Sequence, residues 1–144
     1  MNEERLIGDL SHVVIAVKDI EKAQRFFSEF MGTKFRKIGE NKAVGFISVI
    51  GDNRLEILSP TRSDSDVAKF IDKRGEGLYA VGFKTPDAGK ARAKAEKMGI
   101  RVVGDITDAD LVGGKGHGRG MREIWLHPKD VFGVYTLLTQ SGEL

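Results

Sequence analysis

The sequence predicts an α+β domain: two tandem β-α-β-β-β modules that form a concave mixed-sheet cup with helices on its outer face. Three observations carry this. The chain has 144 residues, 40% of them apolar, which is enough to build a core and makes one compact domain the natural expectation. Apolar spacing switches repeatedly between a strand period of two and a helical period of three to four. The chain also repeats itself: residues 80–98 match 12–30 one for one at an offset of 68, from strand through capping Asp into helix.

In the first module (9–60), the apolar strand HVVIAV at 12–17 runs into Asp19, an N-cap type. Ile20, Ala23, Phe26, Phe27, Phe30 and Met31 then recur at helical spacing, and Gly32 ends the helix. FRKI at 35–38, AVGFISVI at 43–50 and RLEILS at 54–59 are strands, the last two joined by a Gly51-Asp52-Asn53 turn. Residues 63–76 form a linker helix, with caps at Asp64, Ser65 and Asp66, a stripe of Val67, Phe70 and Ile71, and Gly75 at its end. The second module (78–140) opens with AVGFKT. Asp87 caps a helix with Ala88, Ala91, Ala95 and Met98 on its stripe, and Gly99 closes it. RVV at 101–103, EIWLH at 123–127 and VYTLLT at 134–139 are its remaining strands.

Composition excludes several chemistries. With no cysteine there is no disulfide, thiolate nucleophile or cysteine-type zinc site. A metal would need carboxylates and the imidazoles of His12, His117 and His127. Net charge is +2, so nothing in the total points to nucleic acid. The N-terminal stretch is acidic, and the longest uninterrupted apolar run is VVIAV, far short of a membrane span or signal segment. A cytoplasmic protein with no membrane partner is the expectation.

Alternation sorts the strands into two faces. Val13, Ile15, Val17, Leu55, Ile57, Val81, Phe83, Val134 and Leu138 make an apolar face for the helices. The opposite face carries His12, Val14 and Ala16; Arg54, Glu56 and Leu58; Ala80, Gly82 and Lys84; and Tyr135, Leu137 and Thr139. It is either a small-molecule pocket or the solvated side of a half-buried sheet.

Paired modules of this kind, with a His early in the first strand, resemble the vicinal oxygen chelate superfamily of glyoxalases, extradiol dioxygenases and bleomycin-resistance proteins. Within it, HVVIAVKDIEKAQRFF from 12, LEILSP from 55, SDVAKFIDKRGEGL from 65 and LHPKD from 126 resemble the methylmalonyl-CoA epimerases. The resemblance implies a divalent metal in the cup, held by one residue from the first and one from the last strand of each module. Its Lewis acidity assists removal of a proton next to a thioester. Carried over by position, the first-module ligands are His12 and Glu56, while the second-module positions hold Ala80 and Leu137. The internal repeat gives the same placement. Half of the implied ligand set is therefore missing, which predicts at most a weak or vestigial metal site. The implied base falls at Asn41, with Glu40 one residue away.

The expected function is an epimerase-like isomerase or lyase with altered or metal-independent chemistry on an acyl-CoA or carboxylate. Glu56 or Glu40 would move the proton, with Arg54 or Tyr135 stabilising an oxyanion. The alternative is a non-catalytic binding or sequestering protein of the bleomycin-resistance type. The segment 113–122, with five glycines around Lys115, His117, Arg119 and Arg122, is either an anion-binding loop for a CoA phosphate or carboxylate, or a flexible connection. His127, just before a proline, is expected to be a structural hydrogen-bonder. The resemblance further implies a homodimer.

Overall fold

A computed structural model describes residues 5–144; residues 1–4, the start of the acidic N-terminal stretch, lie outside it. The elements are β1 (Leu10–Ala16), α1 (Ile20–Met31), β2 (Phe35–Asn41), β3 (Phe46–Gly51), β4 (Leu55–Pro60), α2 (Asp66–Arg74), β5 (Gly77–Lys84), α3 (Ala88–Lys97), β6 (Val102–Thr107), β7 (Arg122–Leu126) and β8 (Thr136–Gln140).

The caps are those the sequence offers. Asp19, Ser65 and Asp87 each accept a backbone N–H three residues on, and Gly32 closes α1 at φ 70°, a conformation that costs glycine nothing. The strands form one mixed sheet in the order β2-β3-β4-β1-β5-β8-β7-β6. β1 runs parallel to β4, β5 parallel to β8, and β1 meets β5 antiparallel, so the two modules join at the centre of a curled sheet.

Two layers of core lie outside the sheet. Ile20, Ala23 and Phe27 of α1 pack with Val17, Val49 and Ile57, while Ala88, Ala91 and Ala95 of α3 pack with Ile124, Leu126 and Leu138. Alanines let α3 approach closely, and all three are buried. The α1 stripe is wider than its contact: Phe26, Phe30 and Met31 stay exposed, as does Met98 at the end of α3. The linker helix α2 takes the other face, where Val67 and Ile71 join Val14, Ala16, Leu58, Ala80 and Leu137.

The 113–122 segment is not a flexible connection. Residues 108–121 run as a strap from the end of β6 across to β2, and Glu40 and Val112 exchange both backbone hydrogen bonds, at 2.7 and 2.9 Å. Gly116 N–H donates to Ile38 O at 2.9 Å, and Arg36 Nη1 donates to Gly116 O at 2.8 Å. Leu111 and Met121 pack beneath it with Ile38 and Ile50. A Cβ on Gly114 would lie 2.3 Å from Ile38 O, so this glycine serves close backbone approach rather than mobility.

Candidate functional site

Alternation on β1 and β4 turns His12 and Glu56 into the cup, where both are almost wholly buried. Two further groups meet them. The strap delivers the His117 ring, whose centroid lies 4.5 Å from that of His12, and β7 delivers Glu123. His117 Nε2 is 3.3 Å from Glu56 Oε1 and 3.4 Å from Glu123 Oε2; His12 Nε2 is 3.5 and 3.8 Å from the same two oxygens. One potential ligand atom from each of His12, Glu56 and His117 falls within a mutual 4.8 Å.

Neighbouring side chains fix Glu56, Glu123 and His12. Ser48 Oγ donates to Glu56 Oε2 at 2.9 Å, and Thr139 Oγ1 donates to Glu123 Oε2 at 2.7 Å. Trp125 Nε1–H donates to Glu123 Oε1 at 2.8 Å, and Ser11 Oγ lies 3.0 Å from His12 Nδ1. Gly82, opposite His12 in the sheet, leaves room for the imidazole ring: a Cβ there would fall 2.3 Å from His12 Cε1.

The electrostatics follow from burial and opposed charges. Desolvation lowers the His12 pKa despite the nearby carboxylates, which leaves a neutral imidazole. Burial also disfavours the His117 cation, but Glu123 and Glu56 outweigh it and raise the pKa. Burial likewise disfavours the Glu56 anion, but the close approach of the His117 imidazole, the neighbouring His12 ring and the hydrogen bond from Ser48 outweigh it and hold the carboxyl below its ordinary range.

Among the described residues, two buried side-chain atoms remain without a hydrogen-bond partner, His12 Nε2 and Glu56 Oε1, and they face each other. Unpaired buried polar atoms cost free energy, and a cation between an imidazole nitrogen and a carboxylate oxygen satisfies both at once. The donor set of two imidazoles and a carboxylate is one that catalytic zinc uses, with a further position open. The residues present fit a divalent metal.

Above this cluster lies a pocket of about 480 Å³, part of it open to solvent. Its walls are largely apolar and aromatic: Val14, Leu58, Phe46, Trp125, Tyr79 and Tyr135, with Ala80 and Leu137 completing them where the resemblance would place ligands. Trp125 contacts both Phe46 and Tyr135, and Tyr135 also packs against Tyr79. Burial pushes the Tyr79 phenol up to about 12 and raises Tyr135 as well, so both are hydrogen-bond donors at neutral pH.

Several expected site residues stand elsewhere. Arg54 occupies the turn before β4 at φ 72°, which turns its side chain out to solvent. Glu40 is half-buried on β2 under the strap and does not line the pocket, while buried Asn41 accepts the Val44 N–H and shapes the following turn. Arg122 points to the opposite face from Glu123, where it and Arg92 grip Asp105. Lys115 and Arg119 are exposed on the outside of the strap beside Glu143. His117 turns inward, away from those cations, and meets Glu56 and His12 instead of serving the anion-binding or flexible loop expected of its segment. His127 Nδ1 accepts the Lys129 N–H. Glu123, which the sequence reading does not single out, is marked by one signal: it alternates with core residues Ile124 and Leu126 and so faces the cup.

Residues 11–118 match the family model described as Glyoxalase/Bleomycin resistance protein/Dioxygenase superfamily. The chain belongs to this superfamily. Among curated members of the superfamily, it is 31% identical over 140 residues to mitochondrial methylmalonyl-CoA epimerase of Mus musculus, covering 94% of this chain and 74% of that protein. It is 28% identical over 139 residues to the ethylmalonyl-CoA/methylmalonyl-CoA epimerase of Cereibacter sphaeroides, covering 94% and 99%. Among superfamily structures, a Streptomyces coelicolor methylmalonyl-CoA epimerase variant in complex with 2-nitronate-propionyl-CoA superposes with a TM-score of 0.80 at 28% identity, over 94% of this chain and 98% of that one. A methylmalonyl-CoA epimerase in complex with methylmalonyl-CoA and NH4+ does so equally, over 94% and 95%. Among the described residues no helix is long and apolar enough to cross a membrane.

Proposed function

We propose that this protein is an epimerase-like isomerase that takes the acyl end of a CoA thioester into the cup and moves a proton at the carbon next to the thioester carbonyl. The observation that carries this reading is the pair of buried carboxylates facing two imidazoles at the floor of an apolar, aromatic-walled pocket. Relatives whose names specify methylmalonyl-CoA epimerase, and whose structures hold acyl-CoA ligands, supply the substrate class.

The residues divide the work as follows. His12 and Glu56, from the first module, would hold a divalent ion. When bound, such an ion supplies Lewis acidity to a carbonyl oxygen. With Glu56 given to holding the ion, the carboxylate left to accept a proton is Glu123. Trp125 and Thr139 hold that group in place, which limits the reorganisation a proton transfer requires. Tyr135, protonated and on the pocket wall, is a donor for developing oxyanion charge rather than a base. The aromatic walls exclude water from the acyl group. The exposed strap cations Lys115 and Arg119 are the groups assigned to the phosphate end of CoA.

The test is deuterium incorporation at the α-carbon of methylmalonyl-CoA in heavy water, followed by mass spectrometry. Wild type is expected to exchange that position, and Glu123→Gln to lose the exchange while still binding the thioester. Acyl-CoA binding without exchange in wild type would overturn the enzyme reading in favour of a binding protein.

A further inference from the structure

The geometry points to a metal centre whose second half comes from the strap rather than from the central strands of the second module: His12, Glu56 and His117 are the protein ligands, and Glu123 borders the open position. This deepens, and rests on, the reading of the cup as a metal-assisted site. By the symmetry of the repeat, the ligands paired with His12 and Glu56 would stand at 80 and 137, where alanine and leucine can coordinate nothing. His117 Nε2 lies 3.3 Å from Glu56 Oε1, the same oxygen that faces the orphaned His12 Nε2 at 3.5 Å. Ala80 presents only a methyl group to the pocket, so no ligand approaches the cluster from that side. The carboxylate of the second module stands one strand further out, on β7, where Thr139 of β8 reaches across the register pair to hold it.

Backbone contacts fix His117 on both sides. Gly116 is bonded to Ile38 of β2, and His117 O accepts the Gly142 N–H at 2.9 Å. Gly118 has φ 103°, and a Cβ there would lie 2.4 Å from the Gly142 backbone. The imidazole is thus a ligand carried by the element that closes the cup. The strap is already bonded to β2, and an ion that binds His117 adds a further attachment to it, so loading of the ion and protection of the strap from opening are linked. The ion class is a divalent cation at home with imidazole and carboxylate, such as Zn2+ or Co2+.

The experiment titrates chelator-treated protein with Co2+, read by calorimetry and visible absorption, with amide hydrogen exchange at Glu40, Val112 and Gly116 measured before and after. One Co2+ per chain is expected, with slower exchange at those three amides. His117→Ala and His117→Gln are both expected to lower affinity by about 100-fold or more, since even supporting residues of metal sites are worth 10- to 100-fold. His127→Ala, which removes an imidazole from a surface turn, is expected to leave affinity unchanged. If both His117 variants bind Co2+ as tightly as wild type, the ligand assignment is overturned while an ion in the cup survives. If wild type binds no Co2+, or binds it without slowing the strap amides, the coupling fails. Tight binding through His117 with no α-proton exchange would sink the proposed reaction and leave this centre standing.

Discussion

Gly82 is where the site meets the central sheet, and Gly82→Ala tests that meeting directly. An alanine Cβ would stand 2.3 Å from His12 Cε1, 2.6 Å from Nδ1 and 2.9 Å from Nε2. Carbon atoms settle near 3.5 Å, so the ring must retreat by about 1 Å. The backbone at Gly82 is not in the left-handed region, and the substitution by itself would gain roughly 0.4–1 kcal/mol by restricting the unfolded chain. Overpacking a fully buried ring costs about 1–3 kcal/mol, so the crowding wins and the metal-free protein should lose about 1 kcal/mol. Metal sites tolerate about 0.2 Å of ligand displacement, so a 1 Å retreat should cost about 100-fold or more in Co2+ affinity, equivalent to about 2.7 kcal/mol. Urea unfolding with and without Co2+, together with calorimetric titration, reads both quantities. A Gly82→Ala protein as stable as wild type and equally able to bind Co2+ would refute the placement of the His12 ring against β5.

Other expectations rest on separate features. Trp125→Phe keeps the ring that packs on Phe46 and Tyr135 but deletes the Nε1 donor to Glu123; it should cost about 1.5–3 kcal/mol in urea unfolding and slow α-proton exchange, and unchanged exchange would exclude a catalytic Glu123. Ile57→Ala, at a position with no solvent exposure between β4 and α1, should cost about 2–5 kcal/mol by the same assay. Hydrogen bonds from Arg122 and Arg92 hold Asp105 below its ordinary pKa, so its contribution is present above about pH 4 and is lost as the pH falls through the depressed folded value. Asp105→Asn should therefore destabilise by about 1 kcal/mol at pH 7, with the gap to wild type narrowing in acid unfolding below pH 4. Gly118→Ala should detach the 142–143 segment from the strap, seen as faster amide exchange at Gly142 and Glu143.

Much of the scaffold was legible because its signals are local. Asp19, Ser65 and Asp87 cap the helices they precede, since an N-cap needs only a short side chain and the next turn of backbone. The cup face of β1, β4, β5 and β8 follows from alternation, which puts His12, Glu56, Leu58, Ala80 and Leu137 on one side of the sheet. The same rule applied to β7 puts Glu123 on that face, but one acid in a five-residue strand has no weight until the strand's neighbours are known. Arg54 broke the rule because a left-handed turn residue, not a strand residue, occupies that position.

The sequence by itself determined the two modules and their helices, and it placed His12, Glu56, Ala80 and Leu137 on one face of the sheet; that the first two stand at metal-ligand positions and the last two leave such positions empty is what the family resemblance implies. The modules, the helices and the shared face depend on periodicity and the internal repeat, which are properties of the chain read in order. Only the tertiary structure decided that His117 completes the cluster. Five glycines around a histidine describe a mobile loop as well as they describe a strap pressed against β2, and the difference is whether another backbone lies within reach. Here Ile38 O and Gly142 do, and contacts between residues about 80 and 25 positions apart are set by how the sheet curls, not by local order.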